Sequence, residues 1–217
     1  MARVKEMQSV SWRRSLSDLS LWGVFAGNLL SIVMAHLQGW SLEQMMWVFW
    51  AQSIFIGAIN VVRMLSLKEF STGNMTVNGR RPDANASTKY QLALFFAFHY
   101  GFFHLGYFLF LWDQQPLNAF EPIVLIYGGL CALGFMGVHG FSFMHNLNRD
   151  FRHKKPNIGS IMMYPYLRII PLHLTIILGQ TYGASATLLF LCLKTVADCG
   201  MHIVEHRLFQ KDDKTKI

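Results

Sequence analysis

Met45-Met-Trp-Val-Phe-Trp-Ala-Gln-Ser-Ile-Phe-Ile-Gly-Ala-Ile-Asn-Val-Val-Arg-Met-Leu65 is a run of twenty-one residues whose one charged side chain, Arg63, stands near its end. Its length matches the ~20 residues that cross ~30 Å of hydrocarbon as a helix. Five more stretches share this character: Leu16–His36, Tyr90–Trp112, Pro122–His145, Ile161–Leu178 and Ala184–Val204. Soluble domains carry about 25% charged residues, whereas this chain of 217 residues carries 14%, with 53% hydrophobic. The expected fold is all-α: one polytopic bundle of six transmembrane helices, a single domain over 1–217, with no room for a separate soluble domain.

Lysine and arginine positions set the expected orientation. Arg3, Lys5, Arg13 and Arg14 precede the first stretch; Arg63, Lys68, Arg80, Arg81 and Lys89 border or occupy the second connection. Arg149, Arg152, Lys154 and Lys155 fill the fourth connection, and Arg207, Lys211, Lys214 and Lys216 follow the sixth stretch. The connections Gln38–Gln44, Asp113–Glu121 and Gln180–Gly183 have neither residue. All basic segments then share one side, which the positive-inside rule makes cytoplasmic, with both termini inside. A bacterial or archaeal inner membrane is the expected location, and the lipid bilayer the expected partner. The net charge of +7 is accounted for by these anchors facing an anionic leaflet. Nucleic-acid binding is not expected, because the charge is spread over short loops and no recognition fold accompanies it.

The first stretch is long for a signal-peptide core and lacks a small-residue cleavage site, so it reads as a retained helix. The longest connection, about 66–89, is rich in Gly, Asn, Ser and Thr and reads as a mobile cytoplasmic loop. Cys131, Cys192 and Cys199 all fall in apolar stretches, which argues for inert thiols over a disulfide framework. No internal repeat is visible. Gly128, Gly129, Gly134, Gly137 and Gly140 would let the fourth helix approach its neighbours closely. Pro165 and Pro171 interrupt the fifth stretch around Arg168, and carbonyls freed by proline need a donor or line a polar cavity.

The sixth stretch carries Lys194, Thr195, Asp198, His202, Glu205 and His206. At about 100° per residue these fall within an arc of roughly 120°. Each ionisable group inside a membrane helix costs on the order of 2.5 kcal/mol or more unless it faces a partner, a metal or water, so such a stripe points to function. Rise along the helices places His99, His139, Arg168, Asp198 and His202 in the inner half, most of them roughly 9–14 Å deep, and Gln52, His104 and His173 at about 18–21 Å. His99, His139, Asp198 and His202, joined by His206 at the inner edge, are the candidate metal ligands. Imidazole and carboxylate suit a divalent transition metal such as zinc or iron. Glu205, Arg168 and Lys194 are the candidate catalytic groups, Glu205 as base and the two cations steadying a developing anion. His202-Ile-Val-Glu205-His206 also matches the inverted zinc-protease pattern, a short and loose motif.

Five ordered blocks, Phe49–Leu65, Phe98–His104, His139–Phe143, Tyr164–Gly179 and Leu193–His206, together resemble a domain-of-unknown-function family of bacterial and archaeal integral-membrane proteins. The resemblance implies the six-helix fold and points to His99, Arg168, His173, Lys194, Asp198, His202, Glu205 and His206. It implies a glutamate where this chain has Gln52, and it supplies no reaction.

The leading functional expectation is an inner-membrane protein with a buried polar, metal-binding site on its cytoplasmic half, acting, if it is an enzyme, as a metal-dependent membrane hydrolase. One alternative is a proton-coupled carrier or channel with Asp198, His202 and Glu205 as relay; another is a non-catalytic scaffold. Intramembrane histidines also bond across helices, and Lys194 and Asp198 could simply pair at i,i+4. A homo-oligomer is compatible with all three readings.

Overall fold

The computed structural model describes residues 19–73, 75–77, 79–150, 155–182, 192–197 and 200, with some helical side chains, Arg168 among them, left undescribed. Five helices follow in order: α1 (Leu19–Leu37), α2 (Leu42–Ser66), α3 (Ala86–Gln114), α4 (Pro122–Asp150) and α5 (Ile158–Tyr182), with a short 3-10 turn at Leu117–Ala119. Residues 192–197 are helical as well. Helices replace strands throughout the described residues, as the apolar run lengths require. Three of them are long and apolar enough to cross a membrane: Leu42–Ser66, Ala86–Ala119 and Pro122–Phe141.

Local sequence fixes where the helices begin and end. Gly39, at φ +62, lets Gly39 N–H bond to His36 O and Trp40 N–H to Ala35 O, closing α1 with a left-handed glycine. Ser41 then caps α2, its Oγ accepting from Gln44 N–H while the Gln44 side chain accepts from Ser41 N–H. Asn85 caps α3 by accepting from Thr88 N–H. Pro165 and Pro171 do not break α5, which is helical through both. Pro165 removes the N–H that would bond Ile161 O, and Asn60 Nδ2 of α2 donates to that carbonyl at 3.1 Å. The donor for this freed carbonyl therefore comes from a neighbouring helix.

α2 is the central element, packing against α3, α4 and α5, while α1 lies against α4 and α3 against α5. Trp47 Nε1 donates to Gln115 O and Trp50 Nε1 to His104 O, so α2 and α3 run antiparallel. On the other side, a Cβ at Gly128 would meet Val48 at 3.2 Å and one at Gly140 would meet Phe55 at 3.7 Å, so α2 and α4 run in the same direction. Gly129, Gly134 and Gly137 face open space, so only two of the five expected glycines bring α4 close to another helix.

Alternating directions bring the second and fourth connections, both basic, to one end. There Ser71 bridges Asn157, Ser71 N–H bonds to Pro156 O, and Lys155 Nζ lies 3.2 Å from Glu69 Oε2. Leu67, Phe70 and Thr72 are buried in this connection.

Large apolar side chains cover the outside: Phe98 and Phe102 of α3 and Phe141 of α4 are each more than 70% exposed. Polar side chains lie inside, namely Asn28, Gln52, Ser53, Asn60, His104 and Lys194. This inverts the pattern of a soluble bundle and suits apolar surroundings.

Candidate functional site

Lys194 is 3% exposed. Its Nζ donates to Asn28 Oδ1 of α1 at 2.5 Å, stands 4.3 Å from the centroid of the Phe49 ring of α2, and lies 5.6 Å from that of Phe135 of α4. An amide oxygen satisfies one ammonium proton, and two aromatic faces offer their negative quadrupoles to the charge. Three helices thus meet around a residue that sequence reasoning placed on a functional stripe. Asn28, Phe49 and Phe135 were not expected there; Asn28, an amide within an apolar stretch, was the one available signal.

His139 lies on the same side of α2. Its ring is 4.1 Å from that of Phe135, centroid to centroid, so Phe135 touches both His139 and Lys194. His99 lies elsewhere: it is exposed on α3, with Nδ1 2.8 Å from the Tyr166 hydroxyl of α5. On α2, the residues meeting α3 (Trp50, Ser53, Gly57) and those meeting α4 (Val48, Phe55) stand roughly opposite one another at about 100° per residue. The expected ligand set therefore does not assemble as a whole, since His99 and His139 have the central helix between them. Among the described residues, no group of three or more His, Cys, Asp or Glu is placed to hold a metal ion. Asp198, His202, Glu205 and His206 lie outside the described residues, and Arg168 is described only in its backbone.

A second polar region runs along the contact of α3 with α2 and α5. Tyr100 OH donates to Ser53 O at 3.0 Å, and Ser53 Oγ lies 2.8 Å from the same hydroxyl. This requires Gly57, because a Cβ there would fall 2.8 Å from Tyr100 Cδ1. His104 stacks on Tyr100 with centroids 4.3 Å apart, and its Nδ1 is 2.9 Å from Tyr100 O. Tyr107 hydrogen-bonds His173 Nδ1 of α5. His99–Tyr166 and Tyr107–His173 are thus two cross-helix pairs of the same composition with the partners exchanged between helices.

Sequence depth grouped His104 with His173 and Gln52. The first two share the Tyr107 neighbourhood, whereas Gln52 is buried on α2. The tyrosines escaped sequence reasoning because tyrosine is unremarkable in an aromatic-rich apolar helix. His104 Nε2 and Gln52 Oε1 are both buried and have no hydrogen-bond partner among the described residues.

Cys131 and Cys192 are free thiols, Cys131 partly buried and Cys192 exposed, while Cys199 lies outside the described residues. No curated protein and no solved structure matches the chain. A family model, that of a family of unknown function (DUF6498), matches residues 11–215. The stripe, the histidines of the apolar helices and the ordered blocks thus sit in a sequence matched almost end to end, and the chain belongs to the DUF6498 family.

Proposed function

We propose that the chain is a six-helix multi-pass protein of a bacterial or archaeal inner membrane, with both termini cytoplasmic, and that it moves protons or a proton-coupled solute through a polar site centred on Lys194. The observation that carries this reading is the burial of Lys194 between Asn28, Phe49 and Phe135. A lysine at the centre of a membrane helix costs about 2.5–3.5 kcal/mol to insert, and residues kept at that cost mark ion pathways, relays or binding sites. By helical spacing Asp198 and His202 follow Lys194 by one and two turns. With Glu205 they would extend a titratable line toward the basic end of the bundle.

The test is acidification of liposomes containing the purified protein and a trapped pH indicator, driven by a potassium gradient with valinomycin. Wild-type protein is expected to acidify the lumen faster than empty liposomes, and Lys194→Met to fall to the empty rate while retaining its elution volume and helicity. Wild-type acidification no faster than that of empty liposomes sinks the reading.

A second reading, a metal-dependent hydrolase, draws on the Phe135 ring shared by His139 and Lys194. That contact puts α4 beside the sixth helix. The ligand set would then be His139, Asp198, His202 and His206, without His99, and Glu205 would be the base. Near-stoichiometric zinc or iron in purified protein, lost in Asp198→Asn/His202→Ala, would favour it.

A further inference from the structure

We propose that the contact of α3 with α2 and α5 is a proton-transfer line, with His104 Nε2 as the buried proton acceptor and Tyr107–His173 as its link to the outside of the bundle. The inference rests on the transport reading for its use, but the chemistry of the line can be tested without transport.

His104 Nδ1 faces a carbonyl, which can only accept, so Nδ1 carries hydrogen and Nε2 holds the lone pair. Every polar neighbour is already committed: the Trp50 indole to His104 O, the Tyr100 hydroxyl to Ser53, and the Tyr107 hydroxyl to His173. His104 Nε2, in a residue 3% exposed, has no hydrogen-bond partner among the described residues. Burying an acceptor without a donor is costly. An acceptor with no fixed donor suits a group that receives a proton in passing.

Tyr107 is the group that could deliver it. Its ring stands edge-on to that of His104, 5.9 Å between centroids, which makes it the hydroxyl-bearing ring of α3 next to His104 on the side of His173. Its hydroxyl also bonds His173, which is exposed. With the His173 tautomer that carries hydrogen on Nδ1 and donates it to the Tyr107 oxygen, a proton added at Nε2 lets the Nδ1 proton pass to that oxygen as the Tyr107 hydroxyl proton passes to His104 Nε2. One proton enters and one arrives: the Tyr107 oxygen keeps its count, His173 is left as the other tautomer, and His104 becomes the imidazolium.

Facing His104, α2 brings Trp50 and Ser53, neither of which titrates, and α3 brings Tyr100 and Tyr107. α5 carries Tyr166, bonded to His99, together with Arg168 and His173.

The experiment is nitrogen-15 NMR of histidine-labelled protein in liposomes between about pH 8 and about pH 4.5, a range spanning the ordinary imidazole titration. The His104 signal is assigned by its loss in His104→Gln. The expected result is protonation of His104 Nε2 in the wild type and at least tenfold slower proton exchange there in Tyr107→Phe, with the histidines other than His173 unchanged. If His104→Gln does not fold, His173→Gln leaves the His104 ring in place and is expected to slow exchange equally.

His104 remaining neutral to the lowest pH overturns the proposal. So does exchange as fast in Tyr107→Phe as in the wild type. His104 protonation through Tyr107 in a protein without proton flux would sink the transport reading and leave the line standing.

Discussion

The two faces of α2 solve the problem of burying polarity in different ways. Toward α3 and α5, Trp47, Trp50, Ser53 and Asn60 each hydrogen-bond a carbonyl or hydroxyl of a neighbouring helix. Toward α1, α4 and the sixth segment, Phe49 joins Phe135 and Asn28 around one ammonium group. The first face distributes many neutral bonds, each worth little in a membrane. The second concentrates one expensive group, and that asymmetry is why the proposed function is centred on Lys194.

The largest effect expected is on packing at the first face. Gly57→Val drives a side chain into the Tyr100 ring and should cost about 3 kcal/mol, whereas Gly128→Ala on the second face meets only the Val48 methyl and should cost under about 1 kcal/mol. Unfolding in mild detergent followed by circular dichroism reads both, and equal losses would erase the distinction between a tight and a permissive face.

Next comes the charge. Asn28→Leu removes the acceptor of a charged hydrogen bond and should destabilise by about 2 kcal/mol. Adding Lys194→Met should recover at least half of that loss, because the ammonium no longer needs an acceptor. Strictly additive losses would mean that the pair does not act as a unit.

Smaller again is the bond to α5. Asn60→Leu should cost about 1 kcal/mol, and in a Pro165→Ala background the cost should vanish, since the restored N–H bonds Ile161 O within the helix. An undiminished cost in that background would show that Asn60 acts through something other than the freed carbonyl.

The smallest effect lies at the basic end. Glu69→Ala breaks an ion pair whose side chains are both about 70% exposed, and stability should change by less than about 0.5 kcal/mol. A larger loss would mean that the contact between the two connections contributes to the fold.

Much of the architecture was legible because helix length and apolarity are local properties. The stretches expected at Met45–Leu65 and Tyr90–Trp112 lie within α2 (Leu42–Ser66) and α3 (Ala86–Gln114), which overrun them mainly at their starts. Those extra turns are set by capping: Ser41 with Gln44 starts α2 before the apolar run, and Asn85 does the same for α3. Lys194 was legible as well, because a charge within an apolar run stands out by itself.

Which histidines meet was not legible. Depth along each helix follows from a fixed rise per residue, but two residues at one depth can face opposite sides of a central helix, as His99 and His139 do. Facing is set by how the ridges of α2 seat against three neighbours at once, and that depends on side chains far apart in the chain: Gly57 against Tyr100, Val48 against Gly128, Asn60 against Ile161. The sequence by itself determined an all-helical chain with its polar residues held inside apolar segments, since the cost of exposing backbone and charge to hydrocarbon is paid residue by residue. The tertiary structure alone decided that Lys194 keeps company with Asn28 and two aromatic rings, and that His104 and His173 share Tyr107, because partnership depends on the rotation of each helix about its own axis, which no local pattern records.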